Sequence, residues 1–159
     1  MKIDIVSGIG TGPTALSAFD SALNHAGVAN FNLVYLSSII PPKSELVLRK
    51  TPLKNLSGEW GDRLFVVMAN QRQVVPNKEA WAGIGWVQDP KTGKGLFVEH
   101  EGSSEKAVKG DIKDSLIGLM ATRNVNWGPV NMEVVGRACD HEPVCALVMA
   151  VFESVGWNS

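Results

Sequence analysis

Hydrophobic and polar positions along the chain predict two helices separated by strands. The first helix starts near Pro13, which suits a first helical turn, and stops before Gly27. The second begins at Ser103 or Ser104 and runs to about Thr122. Apolar residues recur at helical spacing and form the two inward faces: Leu16, Phe19, Leu23 and Ala26 in the first helix, and Val108, Ile112, Leu116, Leu119 and Met120 in the second.

Runs of β-branched and aromatic residues predict at least six strands. These runs lie near residues 2–7, 30–37, 62–69, 81–88, 94–100, 130–138 and 144–153. Glycines at 8, 10 and 12 predict a flexible loop, residues 41–58 a polar linker, and residues 89–93 the turn of a hairpin. Many strands are apolar on both sides, which is typical of sheets covered on both faces.

Composition narrows the class of protein. The 159 residues are 45% hydrophobic and 19% charged, which predicts one globular domain over residues 1–159. A net charge of −1 gives no basic surface for nucleic acid or for an anionic membrane. No signal peptide or apolar span is evident, and only two cysteines occur, so we expect a soluble cytoplasmic protein.

Common site motifs are incomplete in this chain. The glycines at 8, 10 and 12 resemble a dinucleotide fingerprint, but Pro13 and Ala15 stand where the last glycine is needed. Cys139, His141 and Cys145 lack a fourth ligand at a helpful spacing, so we expect buried thiols and no metal site. A G-x-S-x-G nucleophile elbow is also absent.

One stretch combines a strand, two hydroxyl groups and a double proline. Residues 32–36 read as a strand, Ser37 and Ser38 follow, and Pro41-Pro42 prevents further pairing in a sheet. From the residues alone, the serine pair is a polar turn. The alternative is that the peptide bond between Ser37 and Ser38 is itself the reactive group.

A second polar cluster ends an apolar strand. Strand alternation directs Glu99 and Glu101 to one face and His100 to the other. If the face of Glu99 is buried, its carboxyl group is held protonated more readily and can serve as a general acid. If it is exposed, Glu99 belongs to an ordinary strand end before a helix.

Taken together, these segments resemble the pyruvoyl-dependent arginine decarboxylases. The resemblance rests on Thr14-x-Leu16-x-Ala18-Phe19-Asp20, on Asn32-Leu33 leading into Leu36-Ser37-Ser38-Ile39-Ile40-Pro41-Pro42, and on Glu99-x-Glu101-Gly102. The order and the spacing agree with that family over most of the first 102 residues.

The resemblance implies a proenzyme that cleaves itself between Ser37 and Ser38 into chains 1–37 and 38–159. Residue 38 would become a covalent pyruvoyl group, the sole cofactor, whose ketone forms a Schiff base with an amino acid and accepts electrons as carbon dioxide leaves. Asn32 would assist at this centre, and Glu99 would return a proton to the substrate α-carbon.

The resemblance also implies the substrate and the assembly. Asp20 would pair with the guanidinium group of L-arginine, and the new carboxylate of Ser37 would lie beside the substrate, with agmatine as the product. The family fold is an α+β, four-layer αββα sandwich, assembled as a homotrimer or a dimer of trimers. Two alternatives stay open: a pyruvoyl decarboxylase of another amino acid, and an uncleaved, non-catalytic oligomeric ligand-binding protein.

Overall fold

The computed structural model describes residues 1–54 and 56–158, which form nine strands and two helices. In chain order the elements are β1 (Lys2–Thr11), α1 (Ala15–Ala26), β2 (Asn32–Tyr35), β3 (Ile39–Ile40), β4 (Glu45–Leu48), β5 (Arg63–Gln73), β6 (Glu79–Gln88), β7 (Gly95–Gly102), α2 (Glu105–Ala121), β8 (Asn131–Ala138) and β9 (Val144–Val155).

The strands form two sheets, and each sheet carries one helix on its outer side. The five-stranded sheet has the order β2-β5-β9-β1-β4 and contacts α1, whereas the four-stranded sheet has the order β3-β7-β6-β8 and contacts α2. The inner faces of the sheets pack against each other through β5, β6, β7 and β9. The layers therefore run helix, sheet, sheet, helix, which confirms the predicted αββα sandwich.

Three buried apolar clusters fill the spaces between these layers. The cluster between the sheets includes Ile5, Ile84 and Phe97. The cluster under α1 is rich in alanine, whereas α2 packs through larger side chains, Val108, Ile112 and Leu116. Burying these apolar groups is the main favourable contribution to folding, at about 25 cal/mol per Å² removed from water.

The helix boundaries follow the chemistry of their caps. Thr14 caps α1, where its side chain and that of Ser17 each accept a backbone N–H of the other residue, and Gly27 ends the helix at φ 85°. Ser104 caps α2 by accepting the N–H of Ala107. The predicted start near Pro13 is thus displaced by two residues, and the predicted stop and second cap are confirmed.

The predicted loop over the glycines at 8, 10 and 12 is wrong, because β1 continues through Gly8 and Gly10 to Thr11. A Cβ atom on Gly8 would overlap the backbone of Ala22, and one on Gly10 would lie 2.6 Å from the carbonyl oxygen of Ala18. The missing side chains therefore let the backbone of α1 lie directly on the strand. Close packing, and not flexibility, accounts for these glycines.

Other differences come from tertiary contacts. The predicted polar linker contains β4, which pairs in parallel with β1 at the sheet edge. Leu16 is 67% exposed and Leu119 is 36% exposed, so neither belongs to its helix's buried face. The predicted hairpin is confirmed, since β6 and β7 pair antiparallel across residues 89–94.

Within the described residues, neither helix has the length and apolar character needed to cross a lipid bilayer.

Substituting Gly10 tests the close contact between α1 and β1. We expect Gly10→Ala to lower the free energy of unfolding by about 1 to 3 kcal/mol, because the contact is with backbone that cannot rotate away. Gly110→Ala is the matched control: a Cβ there meets nothing within 4 Å, and helix propensity should raise stability by about 1 kcal/mol. Urea denaturation measures both, and a neutral Gly10→Ala would contradict the packing account.

Candidate active site

The serine pair lies where the chain crosses from one sheet to the other. Strand β2 belongs to the five-stranded sheet and β3 to the four-stranded sheet. The N–H of Leu36 donates to the carbonyl oxygen of Val66 at 2.9 Å, and the N–H of Phe97 donates to that of Ser38 at 2.8 Å. The peptide bond between Ser37 and Ser38 is therefore held from both sides, one anchor in each sheet.

Ser38 adopts a backbone conformation that is unusual for a residue with a side chain. Its φ angle is 65°, in the left-handed region that favours glycine. Holding a non-glycine residue there costs about 1 to 2 kcal/mol, and such strain concentrates at functional positions. The crossover thus places strain directly on the residue after the predicted scissile bond.

The hydroxyl group of Ser38 meets the carboxylate predicted from the sequence. Ser38 Oγ donates to Glu99 Oε1 at 2.6 Å, a length typical of a charge-assisted hydrogen bond. Ile39 pairs with Leu96 across the β3–β7 ladder, so Ser38 lies beside Phe97, and Glu99 follows on the same face two residues later. The register of a two-residue strand therefore sets this contact.

His100 points to the other side of β7, as alternation predicts. Its Nε2 lies 2.8 Å from Ser115 Oγ on α2, and both side chains are half-buried. Glu101 is exposed. The Glu99–Gly102 segment is thus neither fully buried nor an ordinary exposed end, because two of its side chains make specific polar contacts.

Ser37 and Ser38 border two different clefts. One, of about 470 Å³, is lined by Ser38 and Glu99 together with His100 and residues of α2. The other, of about 420 Å³, contains Ser37. The second cleft is lined by Met1, Leu36, Ser37, Ile39, Pro41, Phe65, Phe152 and Glu153. The peptide bond between the two serines therefore lies between the two clefts.

A larger cleft of about 650 Å³ lies beside β1 and β4. Its polar groups include Asp4 and Arg49, which already form an ion pair with Nε to Oδ1 at 2.7 Å. None of the residues that the sequence singled out for chemistry lines it. Its size therefore does not make it the candidate site.

Asn32 and Asp20 do not lie in the Ser38 cleft of the same copy. Asn32 begins β2, and its Nδ2 donates to the carbonyl oxygen of Gly61 at 2.6 Å. Strand β2 ends at Tyr35, so Asn32 and Ser38 do not belong to one regular strand. Asp20 is exposed on α1 and accepts a hydrogen bond from Asn24 at 3.3 Å.

Sequence reasoning missed three contributors to the clefts. Ser115 and Gly118 on α2 line the Ser38 cleft, and Glu153 lines the Ser37 cleft. Glu153 reaches this cleft because a bulge opposite Phe65 and Val66 interrupts the alternation of β9. Helical spacing from Ile112 could have indicated Ser115, whereas a bulge leaves no sequence signal of comparable strength.

Burial shifts the pKa values of Tyr35, at the end of β2, and of Cys145 in β9. Burial raises the pKa of Tyr35; the Arg72 guanidinium lowers that pKa in part, and the Glu101 carboxylate raises it further. Burial also raises the pKa of the Cys145 thiol to about 11, so this thiol stays protonated at neutral pH. Both cysteines are free and buried, as predicted.

In the part of the chain that the structure describes, no group of three or more His, Cys, Asp or Glu side chains could hold a metal ion.

Comparison with known proteins identifies relatives along most of the chain. The family model described as pyruvoyl-dependent arginine decarboxylase matches residues 2–154. A protein of that name from Thermoplasma volcanium is 37% identical over 122 residues, 75% of this chain and 65% of that protein. One from Picrophilus torridus is 36% identical over 65% of this chain and 57% of that protein. Pyruvoyl-dependent arginine decarboxylase 1 from Methanosarcina acetivorans is 31% identical over 86% of this chain and 83% of that protein. The chain thus spans 57 to 65% of the length of the first two relatives.

Two substitutions that both remove the Ser38 hydroxyl isolate the backbone strain. We expect Ser38→Gly to be more stable than Ser38→Ala by about 0.5 to 1 kcal/mol, because only glycine adopts positive φ without penalty. Each variant loses the bond to Glu99, so that loss cancels in the comparison. Urea denaturation gives the difference, and an alanine variant at least as stable as the glycine variant would refute the strain.

Proposed function

The chain belongs to the pyruvoyl-dependent arginine decarboxylase family, and we propose that it cleaves itself between Ser37 and Ser38 and then decarboxylates L-arginine to agmatine. The family match covers residues 2–154. The observation that carries the proposal is the 2.6 Å hydrogen bond from Ser38 Oγ to Glu99 at the strained crossover. It pairs a nucleophile with a base at the predicted scissile bond.

The proposed cleavage proceeds in three steps: acyl transfer, elimination and hydrolysis. Ser38 Oγ attacks the carbonyl carbon of Ser37, and Glu99 takes the hydroxyl proton. Glu99 then returns that proton to the amide nitrogen, which leaves as an amine when the C–N bond breaks, and an ester remains. Loss of the Cα proton of residue 38 then expels the Ser37 carboxylate and leaves dehydroalanine. Water adds to the corresponding imine, ammonia departs, and a pyruvoyl group remains at residue 38.

The fold supplies what an unstructured peptide lacks. Leu36 and Ser38 are each anchored to a different sheet, so the intervening peptide cannot rotate freely. Holding reacting groups in place can be worth roughly 7 to 11 kcal/mol of an activation barrier. Cleavage also releases Ser38 from its left-handed conformation, which favours the forward direction.

The residues around Ser38 fit a pyruvoyl group. It would stand at the position of Ser38, in the cleft that Glu99, Phe97 and Val98 line. When formed, the group supplies an electron sink for decarboxylation. Glu99 would deliver a proton, taken up from water in each turnover, to the substrate α-carbon.

Substrate recognition in this proposal uses more than one copy of the chain. Asp20 and Asn32 lie outside the Ser38 cleft of their own copy, so we assign them to the site of a neighbouring copy in a homotrimer or a dimer of trimers. Asp20 would accept the guanidinium group, and Asn32 would assist at residue 38. The free, buried cysteines fit a reducing compartment, and we place the protein in the cytoplasm.

A substrate panel tests the reaction. Carbon dioxide release should be fastest with L-arginine among arginine, ornithine, lysine, histidine and aspartate, because Asp20 offers a charge-assisted partner to a guanidinium. Asp20→Asn should raise the KM for arginine at least tenfold and leave self-cleavage intact, whereas Glu153→Gln tests the carboxylate of the Ser37 cleft as a rival partner. Ser38→Ala is the inactive control. Equal rates on all five amino acids, or none on arginine, would contradict the proposal.

Removing the proton acceptor tests the role of Glu99 in cleavage. We expect Glu99→Gln to slow self-cleavage at least a hundredfold, since an amide does not take the Ser38 proton. Glu101→Gln is the matched control, because Glu101 lies on the same strand and face but is exposed. A time course on denaturing gels measures both, and cleavage of Glu99→Gln at the rate of Glu101→Gln would remove Glu99 from this step.

A further inference from the structure

The Ser38 cleft has a second polar wall that the proposed chemistry does not use. It is built by His100 of β7 and Ser115 of α2, whose Nε2 and Oγ atoms are 2.8 Å apart. Both residues line the same 470 Å³ space as Ser38 and Glu99. The pair therefore lies within the cleft in which a molecule bound at residue 38 would sit.

When His100 and Ser115 are hydrogen-bonded to each other, one further N–H or O–H group of the pair is still available as a donor. If His100 Nε2 carries a proton and donates it to Ser115, the serine hydroxyl is free to donate elsewhere. If Ser115 donates to Nε2, the proton of the neutral imidazole lies on Nδ1. In both arrangements the wall can offer an N–H or O–H group to an acceptor.

The other residues that line the cleft offer no positively charged group to an anion, so this donor is important for binding one. Apart from residue 38 itself, the other polar side chains of the cleft are Glu99 and Asp114, and neither lysine nor arginine is among its lining residues. An amino acid bound at residue 38 would have its α-carboxylate within a few bonds of that residue, and hence near this space. His100 and Ser115 are then the side chains available to satisfy that carboxylate.

Helix α2 carries a glycine where it borders the cleft, although glycine lowers helix stability. Gly118 lies inside α2 and lines the cleft, and a Cβ atom there would meet nothing within 4 Å. Glycine within a helix is less favourable than alanine, and nothing within 4 Å of its Cβ position requires it. The absent side chain leaves open space where Gly118 borders the cleft.

We propose that His100 and Ser115 bind the α-carboxylate of the amino-acid substrate, in a cleft whose width depends on Gly118. This inference rests on the proposed function and assigns a part of the substrate that Asp20 and Glu99 do not contact. It separates the substrate from its product, since agmatine has no carboxylate and gains nothing from the pair.

The experiment compares ligands with and without a carboxylate on the cleaved protein. 5-Guanidinopentanoate carries the carboxylate and the guanidinium but has no α-amine, so it binds without reacting; agmatine lacks the carboxylate. Calorimetry gives both dissociation constants, and kinetics gives the KM for arginine. His100→Leu should weaken 5-guanidinopentanoate and raise the arginine KM, each about tenfold, and change agmatine binding less than twofold.

Three further variants make the result specific. Ser115→Ala should act in the same direction, and His100→Gln, which keeps an N–H donor, should recover most of the binding. Gly118→Leu should weaken both ligands by filling the cleft, whereas Gly110→Leu, on the same helix with equally open surroundings but outside the cleft, should weaken neither.

Three results separate a failure of the carboxylate assignment from a failure of the proposed function. A wild-type chain that never cleaves overturns the proposed function and this inference with it. A cleaved protein in which His100→Leu binds 5-guanidinopentanoate as tightly as wild type overturns the carboxylate assignment alone. Equal weakening of both ligands by His100→Leu would assign the pair a structural role instead.

Discussion

The hydrogen bond between Ser38 Oγ and Glu99 Oε1 depends on the way the chain crosses between the two sheets. It forms only because the chain leaves the five-stranded sheet after Tyr35 and joins the four-stranded sheet at Ile39. That exchange takes three residues, and the cost falls on Ser38, which adopts φ 65°. The β3–β7 register then decides which side chain of β7 meets the hydroxyl. A shift of one residue would present His100 or Val98 in place of Glu99.

The same crossover organises the space around the site. The intact peptide divides one cleft that contains Ser38, Glu99 and the His100–Ser115 pair from another that contains Ser37 and Glu153. The proposed cleavage would therefore act at the boundary between the two clefts. Asp20 and Asn32 line neither cleft, and the proposed function assigns them to the site of a neighbouring copy.

Patterns among neighbouring residues correctly predicted the helix caps, the hairpin turn and much of the buried helix face. The caps at Ser104 and Gly27, the hairpin turn and the buried α2 positions Val108, Ile112 and Leu116 follow from short-range preferences, and the structure confirms them. Strand alternation also predicted that Glu99 and His100 face opposite sides. The serine pair needed a family resemblance, because two hydroxyl groups at a strand end are chemically ordinary.

Features set by distant contacts could not be predicted in this way. Gly8 and Gly10 read as a loop, yet they are strand residues that let the backbone of α1 approach. Strand β4 exists because the edge of β1 is available to pair with it, and the bulge in β9 redirects Glu153 without a recognisable motif. The pairing of His100 with Ser115 likewise joins elements whose spacing only the folded chain fixes.

The intact mass of the purified protein under denaturing conditions shows whether the Ser37–Ser38 bond is the reactive group. We expect two chains, residues 1–37 and residues 38–159, the longer one bearing a carbonyl group at its first residue. A single uncleaved chain, or a break at any other bond, would contradict that expectation.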